Sequence, residues 1–375
     1  MVPLAAVRGA LPVNRPLIIG AGIAGSAAAI ALARAGERPL ILERSRETGD
    51  ALCGGFLSWA TLKALNQLGV SPETLGGHAV GKVRIHAGGR IAEARVPAPG
   101  MGLSRHRLDA VLLDQAIQSG AAIERGVAVR SADATGAETG DGATLAAPAI
   151  FLAAGKHGLR GHPRPAPGSA ARDPVAGLRQ RLGAGPTLAA MTGDAVELFL
   201  FDRGYAGLVL QENGTANLCL AVHKSRLAEA GGQPERLLEQ WRGQSAALAA
   251  RYDAAKSLGA IDAIGAVPYG FVAPGSNADA PWKLGDQAAC IPSLAGEGMG
   301  IAVASAISAA TSWQNGEAAG HWQAGFARRL AMPMAAARTI WWAGESPRLT
   351  ALAVPLLGSM PAITRGIAAM TRVAG

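Results

Sequence analysis

The chain is poor in cysteine: only Cys53, Cys219 and Cys290 occur in 375 residues, far apart and odd in number. That usage argues against a disulfide framework, and with no Cys-x-x-Cys or Cys/His cluster no metal site is expected. A reducing, cytoplasmic setting fits. Aromatic residues make up 4% and the arginines are scattered, so the basic-plus-aromatic stripe of a nucleic-acid binder is missing. Nucleic acid is therefore not an expected partner, although a net charge of +8 permits anionic ligands such as a nucleotide or a membrane surface. Long hydrophobic runs are also scarce. The uncharged stretch from Pro16 to Ala33 carries three patterned glycines and lacks signal-peptide flanks, which argues against a membrane span. The 50 glycines follow no period of three, excluding collagen, and 49% hydrophobic residues exclude a disordered chain. A length of 375 residues makes two interlocked domains the default.

What is present begins with Leu17-Ile18-Ile19, a short apolar run ending at Gly20. Gly22, Gly25 and an alanine-rich stretch follow, then a second apolar run, Leu40-Ile41-Leu42, ending at Glu43. This spells strand, tight turn, helix, strand, and each glycine has a mechanical task. Gly20 makes the turn, Gly22 lets a pyrophosphate approach the backbone, and Gly25 lets the helix sit close to the strand. Free N–H groups at the helix start, around Ile23 and Ala24, suit phosphates. Glu43, with Arg44 beside it, stands where an acid accepts ribose hydroxyls. An anion there disfavours a 2′-phosphate, leaving NAD or FAD.

Three later segments favour FAD. Ser104-Arg105-His106-Arg107 opens a helix expected to run to about Ser119, with Arg105 or Arg107 in reach of the pyrophosphate. Residues 149–154 form an apolar strand that brings Ala154 and Gly155 against the nucleotide. Finally, Gly285-Asp286 precedes Ile291-Pro292-Ser293 and the run Gly296-Glu297-Gly298-Met299-Gly300, followed by a long alanine-rich helix. Asp286 suits the ribityl hydroxyls. The glycine run suits a planar ring, with the helix N-terminus stabilising negative charge on it. Pro292, Gly296, Gly298 and Met299 complete this candidate set, and Val129 joins it from the third strand region.

These residues resemble a known family. Gly20-x-Gly22-x-x-Gly25 with Glu43, Arg105-x-x-Leu108-Asp109, and Gly285-Asp286 with Pro292 and Gly296-x-Gly298 resemble the FAD signatures of the para-hydroxybenzoate hydroxylase-type flavoproteins. That group includes aromatic and polyketide monooxygenases, geranylgeranyl reductases and flavin-dependent halogenases. Cys53-Gly54-Gly55-Phe56-Leu57-Ser58, the run from Ala154 to Arg160, and Gly204-Tyr205-Ala206-Gly207-Leu208 are similar to stretches of the oxidoreductases that accompany type III polyketide synthases. The resemblance spans roughly residues 15–315. It implies an α/β fold: a Rossmann-like FAD-binding domain of the glutathione reductase type, an antiparallel β-sheet substrate domain, and C-terminal helices. The Asp-Gly pair usual in the aromatic hydroxylases is here Ala154-Gly155, and the halogenase Trp-x-Trp-x-Ile-Pro signature is absent.

The implied domains are 1–79, 101–172 and 276–320 for FAD, and 80–100 with 173–275 for substrate. Within the latter, 80–96 reads as strands turning at Gly88-Gly89, while 196–201, 205–210, 217–222 and 261–267 read as further strands and 234–250 as a helix. The proline-rich segment 160–175 reads as the crossover. Residues 321–375 read as helices with six arginines against one acid, Glu345. They suit either a cap over the substrate pocket or a basic amphipathic surface in peripheral contact with a membrane.

The expected activity is that of an FAD-dependent monooxygenase acting on an aromatic or polyketide-like small molecule. The alternative is a flavin reductase or dehydrogenase acting on a prenyl or lipid-like chain; a non-catalytic flavin-binding partner is a third reading. NADH or NADPH would reduce the flavin transiently, because the chain has one dinucleotide fingerprint only. His86, Tyr205 and His223 are the candidate catalytic bases. Lys156, His157 and Arg160 suit an anion, and Cys53 lies in the loop expected near the flavin.

Overall fold

The structure, a computed structural model, describes residues 11–163, 173–275 and 280–373. Most of the proline-rich crossover, 164–172, lies outside the described residues.

The first layer is a five-stranded parallel sheet. Leu17–Ile19 is its centre, flanked by Leu40–Glu43 and Ala122–Arg125 on one side and by Ile150–Leu152 and Trp282–Lys283 on the other. Numbered along the chain this is order 3-2-1-4-5, that of a dinucleotide-binding sheet. The order reverses between Leu17–Ile19 and Ile150–Leu152, so a crevice opens at the carboxyl ends of those two strands.

Helix Ile23–Arg34 packs against helices Arg105–Gln118 and Gly298–Gln314. Ala27, Ala28 and Ala29 are all fully buried. Small side chains let these helices approach closely, which is where much of the alanine content goes. Hydrophobic residues all round the helix mark one buried on every side.

The second layer is a larger sheet built mainly from His78–Ala87, Arg90–Gly102, Val175–Ala184, Ala195–Phe201, Gly204–Leu210 and Thr215–His223. Gly88 (φ +53°) and Gly89 (φ +76°) make the two-residue turn of its first hairpin, a conformation that favours glycine at both positions. The expectation of a wholly antiparallel sheet needs one correction. Ala195–Phe201 pairs parallel with His78–Ala87, because the chain returns to this sheet after completing most of the nucleotide-binding layer. A second correction concerns the helix expected over 234–250. It is two helices, Pro234–Gln244 and Ala246–Asp253, because Ser245 takes an extended conformation and its hydroxyl accepts the Leu248 N–H, capping the second.

Three C-terminal helices, Ala319–Gly344, Pro347–Ser359 and Pro361–Met370, close the structure over the sheet, the last two resting on strand Arg90–Gly102.

Candidate functional site

The first glycine turn sits at the crevice. Gly20 has φ +104°, and a Cβ there would press on the Ala153 carbonyl across the switch point. A Cβ at Gly25 would overlap the Gly20 carbonyl oxygen. Gly22 differs: the nearest atom to an added Cβ is Arg105 Nη2, 3.6 Å away. Two glycines therefore serve chain packing, and the third leaves room for a ligand. The helix that follows, whose first residues line the crevice, has no side-chain cap, which leaves its N-terminal N–H groups available to a ligand. Glu43 fixes the turn, its carboxylate accepting the Ala21 N–H and the Ser45 N–H, both at 2.8 Å.

Arg105 stands over this turn, held by Asp109 through Nε at 3.0 Å and Nη2 at 2.8 Å. Burial would lower its pKa, but the Asp109 carboxylate more than offsets that and raises it. Lys156 pairs with Asp286 at 3.4 Å, and that carboxylate raises the lysine's pKa despite burial. Gln287 Nε2 donates to the carbonyls of Gly155 and His157, at 2.6 and 2.9 Å, and so ties the strand-end loop to the Asp286 turn.

A second helix start faces the same space. Gly298–Gln314 also lacks a side-chain cap, and the missing side chain of Gly298 leaves open room. The loop before it is pinned from below: Glu297 is fully buried and accepts from Arg372, which also donates to the Ala295 carbonyl at 2.6 Å. Two uncapped helix starts, two glycines with room beside them and the half-buried Arg105 fit an extended dinucleotide.

From this cradle a cavity of about 610 Å³ runs across the large sheet to the C-terminal helices. Near the cradle it is lined by Cys53, Tyr205, Tyr269, Cys290 and Ser293. Beyond them the walls are mainly aliphatic, with Ile85, Leu198 and Leu200 from the sheet and Val354, Leu357 and Ile367 from the helices, although Thr350, Thr364 and Thr371 also reach it. Trp341 clamps both phenols, its ring 5.7 Å from Tyr205 and 5.3 Å from Tyr269. Both tyrosines lie beside the Ser293 hydroxyl, and burial raises both pKa values, so at neutral pH each is a proton-bearing donor. The Cys219 thiol is pushed up to about 12 by burial and is no nucleophile.

Comparison with known proteins matches residues 15–148 to the FAD binding domain family. An uncharacterized protein in the nifH2 5′ region of Methanosarcina barkeri is 33% identical over 135 residues, which cover 33% of this chain and 70% of that protein. The chain belongs to the FAD-binding-domain flavoproteins. Its class is that of FAD-dependent oxidoreductases. Among solved structures, a flavoprotein/dehydrogenase from Cytophaga hutchinsonii is 18% identical with a TM-score of 0.74, covering 96% of this chain and 92% of that one. Halogenase PltM in complex with phloroglucinol and FAD is 13% identical with a TM-score of 0.72, covering 96% and 88%. Pseudomonas aeruginosa PqsL in complex with 2-aminobenzoylacetate is 16% identical with a TM-score of 0.69, covering 90% and 98%. At these identities the likeness is one of fold.

The structure brings together Gly22, Ile23, Ala24, Arg105, Gly155, Lys156, Asp286, Gly296, Gly298 and Met299 as walls of one cavity. Ala154 and Pro292 sit behind that wall, Pro292 starting the short turn Ser293–Ala295. Glu43, Arg44 and Val129 do not line the cavity; Arg44 donates to His157 Nε2 at 2.7 Å. Arg160 is exposed, on the edge beside Ser131.

The catalytic candidates separate. Only Tyr205 lines the cavity, and its raised pKa makes it a donor rather than the expected base. His86 does not line it: the ring stacks on Phe199 at 4.5 Å and lies 3.2 Å from the buried Glu197 carboxylate. Burial would raise the Glu197 pKa, but hydrogen bonds from His86, Arg251 and Arg84 hold it at about 2, which identifies a structural charge cluster. His223 does not line the cavity either; it joins the Asp173 carbonyl at 2.8 Å to Glu345 at 2.7 Å.

Sequence reasoning did not single out Tyr269, Gln287 or Arg372 as site residues. Tyr269 carried one available signal, a lone aromatic between Pro268 and Gly270 just after a strand. Arg372 carried none, because only the tertiary fold brings it to the glycine run.

Proposed function

We propose that this protein uses FAD to oxygenate a small molecule with a polar ring-like head and an apolar tail, as a monooxygenase. One observation carries the proposal: beside the cradle the cavity presents the Tyr205, Tyr269 and Ser293 hydroxyls together, and beyond them its wall is mainly aliphatic, broken by Thr350, Thr364 and Thr371 of the C-terminal segment. The two phenols would donate hydrogen bonds to a hydroxyl or carbonyl oxygen of the head, and the aliphatic walls would take the tail and exclude water. FAD, when bound, supplies two-electron chemistry and, once reduced, reactivity toward oxygen. The protein's share is position. Arg105 and the two helix starts would hold the pyrophosphate and the ring, and Asp286 the ribityl chain.

NADH or NADPH is proposed as a transient donor, with Lys156, His157 and Arg160 at the rim as candidates to meet its phosphates. The resemblance to oxidoreductases that accompany type III polyketide synthases agrees with a substrate of this shape, as do the ligands in the complexes of PltM and PqsL, phloroglucinol and 2-aminobenzoylacetate. A second reading, a reductase or dehydrogenase acting on a prenyl or lipid-like chain, is favoured by the aliphatic far wall.

Alkylphenols of graded chain length, offered with NADH or NADPH, test both. Monooxygenation requires oxygen consumed in step with reduced nicotinamide and hydroxylated product, and a KM that falls as the chain lengthens. Undiminished product formation without oxygen would replace it with the second reading.

A further inference from the structure

The two helices that wall the far end of the cavity are apolar on their outer faces as well. Val354, Leu357, Ile363 and Ile367 face inward and line the cavity. Outward, Leu352 is 77% exposed and Leu356 51%; Trp342, at the end of the preceding helix, is 67% exposed, and Ile91 on the adjoining strand 58%. Met360 and Met370 extend the same surface. Leu356 belongs to both sides, reaching the cavity while half of it meets solvent. Several large apolar side chains left uncovered on one pair of helices and the strand beside it mark an interaction site.

The charges around it select the partner. Arg338, Arg348 and Arg365 are all exposed, and none forms an ion pair among the described residues. The single acid of this segment, Glu345, is tied to His223 at 2.7 Å. Helices Pro347–Ser359 and 362–370 meet at a bend of 112°, and no single helix among the described residues is long and apolar enough to cross a membrane. Arg90 donates to the Ala351 carbonyl, which fixes the pair to the sheet below.

We infer that this bent helix pair rests on the surface of an anionic lipid bilayer, with Trp342, Leu352, Leu356 and Met360 immersed at the boundary of headgroups and acyl chains. The three arginines then face anionic headgroups. The aliphatic end of the cavity lies directly behind the immersed face, so an apolar substrate passes from the leaflet between the two helices without crossing water. That last step rests on the function proposed above; the docking itself does not.

The test is flotation of the full, FAD-loaded chain with vesicles of phosphatidylglycerol and phosphatidylcholine, against vesicles of phosphatidylcholine alone. The mixed vesicles are expected to bind at least tenfold more tightly, and raised salt to weaken them. Hydrogen exchange should slow in 338–370 on binding while the FAD cradle is unaffected. The variant Trp342→Gln/Leu352→Glu, at positions outside the cavity, should lose at least tenfold in vesicle binding while keeping its flavin absorbance and melting temperature. Equal binding by the variant, or no preference for the anionic vesicles, would overturn the inference. So would a dimer that the variant splits, since the face would then belong to a second copy. If the protein floats with vesicles but takes up no flavin, the docking stands and the proposed activity falls.

Discussion

Arg372 sets its guanidinium against the fully buried carboxylate of Glu297, Nη1 to Oε2 at 2.5 Å, across 75 positions of sequence. Burial pushes the two groups in opposite directions, raising the pKa of the acid and lowering that of the base. The pair thus depends on itself: each charge is tolerable only because the other is there. Arg372 also donates to the Ala295 carbonyl, so the C-terminal segment and the loop that carries Gly296 and Gly298 are tied together.

Breaking that pair from one side leaves a charge buried alone. Arg372→Met is expected to cost about 3–5 kcal/mol of stability and to lower FAD affinity. The double variant Glu297→Gln/Arg372→Met removes both charges and should recover most of the stability, as read by thermal melts and flavin absorbance. A double variant as unstable as the single one would mean that packing against Trp59, over whose ring the guanidinium lies at 5.1 Å, matters more than charge.

Gly22 and Gly25 should fail in different ways when replaced by alanine. At Gly25 the new methyl meets the Gly20 carbonyl, so the turn is displaced and the protein melts early with or without FAD. At Gly22 it meets only the far end of Arg105, so the apoprotein should melt normally while FAD affinity drops at least tenfold. Equal stability losses in the two variants would contradict the division of roles between packing and ligand room.

Tyr205→Phe and Tyr269→Phe each remove one donor and leave the ring against Trp341. The expected cost is about 0.5–1.5 kcal/mol of substrate binding each, seen as a raised KM for alkylphenols with FAD content unchanged. Because both phenols stay protonated well above neutrality, the pH profile of kcat should not move. A shifted profile would instead make one of them a proton carrier.

His223 joins the end of the long C-terminal helix to the sheet through Glu345, and that hydrogen bond raises its pKa above the ordinary value of about 6.5. A raised folded-state value means the native protein binds the proton more tightly than the unfolded chain. The stabilisation is therefore complete below about pH 6.5 and is lost as pH climbs through the folded-state pKa. Thermal melts should decline over that alkaline-going range, and His223→Gln should flatten the decline. An unchanged slope in the variant would assign it to another group.

The sequence by itself determined the first strand–turn–helix–strand unit. The strand–glycine–helix unit of residues 17–43 is local: its turn, its close approach and its acid all follow from spacing along one short stretch of chain, and the hydrophobic period shows which parts are strand and which helix. Arg105 and the 285–300 turn could also be read, because each announces itself by a helix start next to glycine. What the tertiary structure alone decided is the substrate side. His86, Tyr205 and His223 share one sheet and are alike as letters, yet strand register and packing turn one into the cavity, tie one to a buried glutamate and set one as a strut to a helix. The aliphatic wall and the outward apolar face likewise come from the same two helices, and which residues face which way depends on how those helices bend and settle on strand Arg90–Gly102. Contacts between residues far apart in the chain are set by packing, and no local spacing encodes them.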